Sequence, residues 1–67
     1  MRNRIKENRE EAGLTQQELA DKAGCTRQFI NMLENNPEIN VSINTLSRIA
    51  AALNKTVDDL IFFETNV

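Results

Sequence analysis

The chain is poor in the residues that carry most catalytic and metal-binding chemistry. Its 67 residues include no histidine and a single cysteine, Cys25. A lone cysteine without histidine cannot complete a tetrahedral zinc site or form an internal disulfide. There is also no glycine-rich phosphate loop, and the carboxylates show no convergent spacing. We therefore predict that the protein is not an enzyme and uses neither a metal nor another cofactor.

Long apolar segments are also missing. The N-terminus is charged throughout, and no apolar run approaches the roughly 20 residues that a membrane span requires. One unpaired cysteine fits a reducing compartment better than an oxidising one. We expect a cytoplasmic protein that makes no contact with a membrane.

The chain is too short to bury a large core. A domain of this size hides only about 60% of its unfolded surface, and disulfides, metals or oligomerisation usually supply the missing stability. Because the sequence excludes an internal disulfide and a zinc site, dimerisation remains as the common source of added stability. The net charge is −2, although residues 1–9 are rich in Arg and Lys. Composition by itself therefore does not indicate nucleic acid, and local patterns must decide.

Two glycines and one proline separate segments of helical periodicity. The first segment predicts a helix over about 2–12, which ends at Gly13. Thr15, with Glu18 three residues later, is a capping box. It predicts a second helix over about 16–23.

A tight turn follows this second helix. Gly24 ends the helix, and Thr26 caps a third helix over about 27–34. Ala20 stands where two helices that cross closely require a small side chain. Two short helices joined at a glycine form a helix-turn-helix, here at about 16–34.

Two further helices are predicted in the second half of the chain. Ser42 caps one over about 43–53, whose apolar stripe is Leu46, Ile49, Ala50 and Leu53. Thr56 caps another over about 57–61. The apolar, partly β-branched tail extends that helix or forms a strand. The pattern predicts a single all-α domain of five helices, residues 1–67.

These segments resemble the Cro/C1-type (XRE-like) helix-turn-helix family of phage repressors and their bacterial relatives. The residues that carry the resemblance are Arg9, Gly13–Gln16, Glu18–Ala20, Ala23–Gly24, Thr26–Gln28, Ile30, Leu33–Asn35, Thr45–Leu46, Ile49–Ala50 and Ala52–Leu53. The resemblance implies a five-helix fold whose third helix lies in the DNA major groove. It also implies that Arg9 pairs with Glu34. The Asn35–Ser42 loop departs from the family, because it is about one residue longer and holds Pro37–Glu38.

The exposed side of the third helix carries the predicted base contacts. Ile30 and Leu33 face inward. On the other side of the helix, a residue and those one, four and five positions after it are neighbours and form one outward patch. Arginine can bind guanine edges, Asn and Gln can bind adenine, and an apolar group can touch a thymine methyl. We predict base contacts from Arg27, Gln28, Asn31 and Met32. The alternative is a solvated polar face of the kind that any surface helix carries.

Neutral polar side chains near the helix ends are candidate phosphate ligands. A helix N-terminus favours anions, and the resemblance makes Gln16 a phosphate contact. The full predicted set is Gln16, Gln17, Thr26, Asn35, Asn36 and Asn44. An exposed first turn and a polar capping loop are the structural alternatives.

The tail, about residues 57–67, predicts a dimer interface. Adjacent aromatics cannot both pack on one side of so small a unit, and exposed apolar patches mark interfaces. The predicted interface residues are Leu60, Ile61, Phe62, Phe63 and Val67, with a short C-terminal strand as one form of contact. The sequence thus predicts a DNA-binding repressor that acts as a homodimer on inverted repeats in double-stranded DNA. The alternative is a protein-interaction module, such as an antitoxin or anti-repressor.

Overall fold

The computed structural model describes residues 2–62. Within them, five helices pack around one apolar core, and a two-stranded antiparallel sheet joins the two ends of the fold. The elements in chain order are β1 Arg2–Asn3, α1 Ile5–Glu11, α2 Gln16–Ala23, α3 Arg27–Asn35, α4 Ile43–Leu53, α5 Val57–Leu60 and β2 Ile61–Phe62. The five-helix architecture is confirmed.

Side-chain caps determine where four of these helices begin. A Thr or Ser hydroxyl accepts the N–H three residues later, at Thr15, Thr26, Ser42 and Thr56. In α2 and α5 the third residue also returns a bond to the cap N–H, so both are capping boxes. Each cap satisfies amide groups that the helix leaves without an internal partner.

The predicted first turn of helix 1 is wrong, because residues 2 and 3 form a strand. Asn3 pairs with Ile61 in antiparallel register and is 4% exposed. Its side-chain Oδ1 accepts the Ile5 N–H at 3.2 Å, which starts α1 at Ile5. Of the two forms predicted for the tail, the structure shows the strand at Ile61–Phe62.

Among residues 2–62, the buried core is aliphatic. It consists of Ile5, Leu19, Ala20, Ala23, Ile30, Leu33, Leu46, Ile49, Ala50, Leu53 and Leu60. The predicted α4 stripe is confirmed, since all four of its members are buried. α2 packs against both α3 and α4, which leaves the outer side of α3 facing solvent. In the described part of the chain, no helix is long and apolar enough to cross a membrane.

Candidate nucleic-acid interface

A tight turn between α2 and α3 positions the candidate recognition helix. Gly24 has φ +71°, a left-handed conformation that glycine adopts without steric cost. Cys25 then donates its N–H to the Ala20 carbonyl at 2.9 Å. Ala20 is completely buried, so the two helices approach closely at that point. The predicted helix-turn-helix is therefore present.

Arg48 of α4 reinforces the same turn. Its guanidinium donates to the carbonyls of Ala23 and Gly24, at the C-terminal end of α2. A cation there also complements the negative end of the helix dipole. Local sequence signals do not predict this role, since Arg48 lies 24 residues from Gly24 along the chain.

The outer side of α3 presents polar side chains on a rigid base. Ile30 and Leu33 are buried to within 1%, which fixes the rotation of the helix. Arg27 and Gln28 are exposed, and Asn31 is half-buried beside them. These three residues line one shallow concavity.

Met32 lies just outside this group. The residue is 38% exposed. The four predicted base-contacting residues thus lie together on α3, and their contact with DNA remains a prediction.

The predicted phosphate-contacting residues differ in their exposure to solvent. Gln17, Thr26, Asn35, Asn36 and Asn44 are exposed. The Asn35 amide donates to the Asn31 side chain, and the Asn36 amide donates to the Met32 carbonyl at 3.0 Å. These bonds hold the two asparagines at the C-terminal end of α3.

Gln16 differs from the other phosphate candidates. It is half-buried, and its Nε2 donates to Oε1 of Glu34 at 3.0 Å. One amide hydrogen is therefore already committed to an internal carboxylate. The Glu34 bond orients the side chain, and the second amide hydrogen is left for a ligand.

Glu34 is the centre of a buried polar cluster. Arg9 donates Nε to Oε2 at 2.6 Å and Nη2 to Oε1 at 3.0 Å, a bidentate pair. The side chains of Arg9 and Glu34 are 12% and 2% exposed. The hydrogen bond that Arg9 donates to Glu34 raises the pKa of Arg9, although desolvation by burial acts in the opposite direction. The expected pairing is confirmed, and it ties α1 to the end of α3.

Cys25 behaves as a small apolar residue. It is half-buried against the core, and burial raises the pKa of its thiol. A raised pKa favours the protonated thiol, which is less nucleophilic than the thiolate. Phe29, beside the exposed face of α3, also packs against the core.

The predicted dimer tail needs one correction. Leu60 is completely buried in the core of its own chain, so its side chain has no surface to offer a partner. Ile61 and Phe62 are half-buried in β2, and the Arg4 guanidinium lies 4.4 Å from the centre of the Phe62 ring. Phe63 and Val67 lie outside the described residues.

Comparison with known proteins shows the family. The model of a helix-turn-helix family matches residues 5–60. An uncharacterised HTH-type transcriptional regulator of Archaeoglobus fulgidus is 41% identical over 64 residues, which are 96% of this chain and 90% of the relative. The HTH-type transcriptional regulator SinR of Bacillus subtilis is 38% identical over 58 residues, which are 87% of this chain and 52% of SinR. The chain thus matches about half the length of SinR.

Solved structures of SinR have the same fold. A crystal structure of SinR, described as a master regulator for biofilm formation, in complex with DNA has a TM-score of 0.77 at 38% identity. That match covers 82% of this chain and 87% of the other. A SinR–SinI protein complex gives a TM-score of 0.73 at 39% identity, covering 81% of this chain and 52% of the other. The chain therefore belongs to the Cro/C1-type helix-turn-helix family of transcriptional regulators.

Proposed function

We propose that the protein is a repressor that binds a specific sequence in double-stranded DNA through α3. The observation that carries this proposal is the concavity lined by Arg27, Gln28 and Asn31. Their side chains offer the hydrogen-bond groups that read guanine and adenine in the major groove. The SinR structure with DNA supports the same use of this fold.

Rigid support for α3 favours sequence-specific binding. Its inner face is anchored by Ile30 and Leu33, and its C-terminal end is tied to α1 through Glu34. A recognition helix fixed in this way loses little conformational entropy when it binds. The cluster around Glu34 therefore acts on DNA indirectly, by orienting α3.

We further propose that the protein acts as a homodimer on an inverted repeat. Asn3 donates its backbone N–H to the Pro37 carbonyl at 2.8 Å, so this N–H points away from β2. In antiparallel geometry its partner Ile61 then directs its own N–H and carbonyl to the opposite edge of β2. That edge suits pairing with a second copy. A two-fold dimer of this kind can place two α3 helices about 34–36 Å apart, facing successive major grooves.

The proposed organisation is one cytoplasmic domain without catalytic activity. The helix-turn-helix occupies about 16–34, and the segment at about 57–67 holds the dimer together. Repression follows if the dimer occupies a promoter and blocks transcription there. A reporter gene placed behind the selected site tests this, and activation of the reporter would contradict a repressor role.

Selection from a random duplex pool tests sequence-specific binding. We expect enrichment of an inverted repeat whose half-sites are one helical turn apart. We expect Arg27→Ala to relax the preference at one base pair of each half-site, whereas Lys55→Ala, which removes the same charge from the α4–α5 turn, should leave the selected sequence unchanged. Recovery of no shared sequence by the intact chain would overturn the proposal.

Sedimentation tests the dimer. A chain truncated after Phe62 keeps Leu60 and both strands, so its fold should survive, as checked by circular dichroism. We expect the intact chain to dimerise at tens of micromolar and the truncated chain, which keeps the edge of β2 but lacks residues 63–67, to dimerise more weakly. A truncated chain that dimerises equally well would exclude residues 63–67 from the interface, and a monomeric intact chain would overturn the dimer.

A protein-binding role is the second candidate. Ile43, at the start of α4, is 67% exposed, and protein interfaces centre on such apolar anchors. The SinR–SinI complex shows that a related protein was solved with a protein partner. Retention on random duplex DNA at low salt distinguishes the two roles, because a module dedicated to proteins would flow through.

A further inference from the structure

The N-terminal strand brings a cation to a groove beside the end of α3. The groove is lined by Arg2, Asn35, Asn36, Pro37, Glu38 and Ile39. Nη1 of Arg2 donates to Oε1 of Glu38 at 2.9 Å. The side chains of this pair are 36% and 74% exposed, so both lie at the surface. The groove therefore combines one guanidinium, two side-chain amides and one carboxylate.

Arg2 is held in this place by the backbone around it. The neighbouring Asn3 donates its backbone N–H to the Pro37 carbonyl at 2.8 Å and its side-chain amide to the Leu33 carbonyl at 3.0 Å. Arg2 itself pairs with Phe62 across the sheet. The strand is thus fixed both to the end of α3 and to the following loop.

The groove continues from the concavity on α3. Asn31 belongs to that concavity, Asn35 belongs to the groove, and a hydrogen bond joins their side chains. From Arg27 to Asn35 the helix rises about 12 Å. In a helix-turn-helix, the N-terminal residues of the recognition helix contact the base edges of the major groove. If Arg27 reads bases, the C-terminal end of α3, with Asn35 and the groove beside it, lies farther from the bases and nearer the phosphates.

We propose that Arg2, together with the amides of Asn35 and Asn36, binds a DNA phosphate, and that Glu38 holds Arg2 in place while reducing its attraction for DNA. This inference rests on the proposed DNA binding. A guanidinium binds phosphate oxygens through two parallel N–H bonds, with the amides as further donors. An exposed ion pair is weak, so the bond between Arg2 and Glu38 adds little to the cost of moving the guanidinium onto a phosphate.

The charge arrangement predicts opposite effects for the two partners. Removing Arg2 removes one phosphate contact. Removing the charge of Glu38 ends its competition for the guanidinium and also takes away repulsion of the phosphate backbone. If the pair were purely structural, loss of either partner would weaken binding in the same direction.

The test is a salt titration of DNA binding by the intact chain, Arg2→Ala, Glu38→Gln and the double variant. One lost phosphate contact lowers the magnitude of the log K against log salt slope by about 0.9, which corresponds to about an eightfold loss near 0.1 M salt. We expect Arg2→Ala to show this loss equally on the selected site and on random duplex, because phosphate contacts carry no sequence information. Lys55→Ala is the control for one lost charge and leaves the slope unchanged.

Glu38→Gln is the decisive variant. We expect it to bind both duplexes about two- to fivefold more tightly, and to gain less when Arg2 is absent. An unchanged slope in Arg2→Ala, or weaker binding by Glu38→Gln, would overturn the inference while leaving binding through α3 intact. Failure of the intact chain to bind any duplex would instead overturn the proposed function. Thermal unfolding of each variant separates loss of folding from loss of contact.

Discussion

The guanidinium of Arg48 occupies the space that a side chain on Gly24 would need. A β-carbon built on Gly24 would lie 2.9 Å from Nη2 of Arg48. Gly13 has a similar positive φ of +72°, yet a β-carbon there would meet nothing within 4 Å. A side chain at Gly13 would therefore meet backbone strain alone, whereas a side chain at Gly24 would meet both backbone strain and the Arg48 guanidinium.

Alanine at these glycines should destabilise the fold to different degrees. Gly13→Ala should cost about 1–2 kcal/mol, the steric penalty of a left-handed alanine. Gly24→Ala should cost more, because Nη2 of Arg48 must also move, which disturbs its bond to the Gly24 carbonyl. Urea unfolding measures both variants. In an Arg48→Ala background the excess cost of Gly24→Ala should vanish, and its persistence would show that Arg48 is not the cause.

The buried and exposed ion pairs should differ in importance. Glu34→Ala leaves Arg9 without its carboxylate in a site that is largely shielded from water, so we expect a loss of about 3–5 kcal/mol. Glu38→Ala breaks a surface pair and should cost less than about 1 kcal/mol. Chemical denaturation compares the two. Equal losses would mean that burial does not decide the value of these pairs.

Acid should destabilise the protein through its two capping boxes. Backbone N–H groups of Thr15 and Thr56 bond the carboxylates of Glu18 and Asp59, which lowers the pKa of both acids. A lowered pKa in the folded state means that this stabilisation is present above the unfolded pKa values, which are about 4. It is lost as the pH falls through the folded values.

Unfolding measured between about pH 7 and pH 3 tests this dependence. The intact chain should lose stability below about pH 5. Glu18→Gln and Asp59→Asn should each make the acid slope shallower. Glu11→Gln removes an exposed carboxylate outside both capping boxes and serves as the control. An unchanged slope in the Glu18 and Asp59 variants would contradict the assignment.

Two glutamines should separate base contact from phosphate contact. Gln28→Ala should cost about 1–3 kcal/mol at the selected site and relax the preference at one base pair. Gln17→Ala, at the first turn of α2, should instead weaken binding to all duplexes by a similar factor. Binding to a panel of single-base variants measures both. A uniform loss in Gln28→Ala would remove it from the base-reading set.

The salt dependence of DNA binding should be shallow. The net charge is −2, and most candidate phosphate contacts are neutral amides and hydroxyls. Each neutralised phosphate contributes about 0.9 to the slope, so few cations give a small slope. Filter binding or fluorescence anisotropy across salt concentrations measures it. A slope as steep as about −10, which requires many neutralised phosphates, would reveal an unrecognised basic surface.

The helices that begin at caps can be predicted from sequence because their signals are local. Thr15 and Glu18 are three residues apart, and the hydroxyl caps of α3, α4 and α5 act over the same distance. The exposed face of α3 is predictable for a related reason, since burial of Ile30 and Leu33 fixes which side remains outside.

The features that sequence does not predict depend on contacts between distant segments. Arg2–Asn3 pairs with Ile61–Phe62 almost a whole chain length away, and a two-residue strand has no periodicity to detect. Asn8 is likewise buried, with its amide donating to the Asp59 carbonyl at 3.2 Å. Asparagine is usually exposed, so its type predicts a surface position. Gln16 is a predicted phosphate contact, but its bond to Glu34 depends on the packing of α2 against α3.

The pairing of β1 with β2 also constrains the order of events during synthesis. Helices α1 to α3 leave the ribosome before α4 and β2, because the chain is synthesised from its N-terminus. Asn3, which secures the end of α3, cannot complete its strand until Ile61 has emerged. A nascent chain therefore carries α3 before that helix is fully secured. Residues near the C-terminal end of the described chain thus set the final position of a strand formed near its N-terminal end.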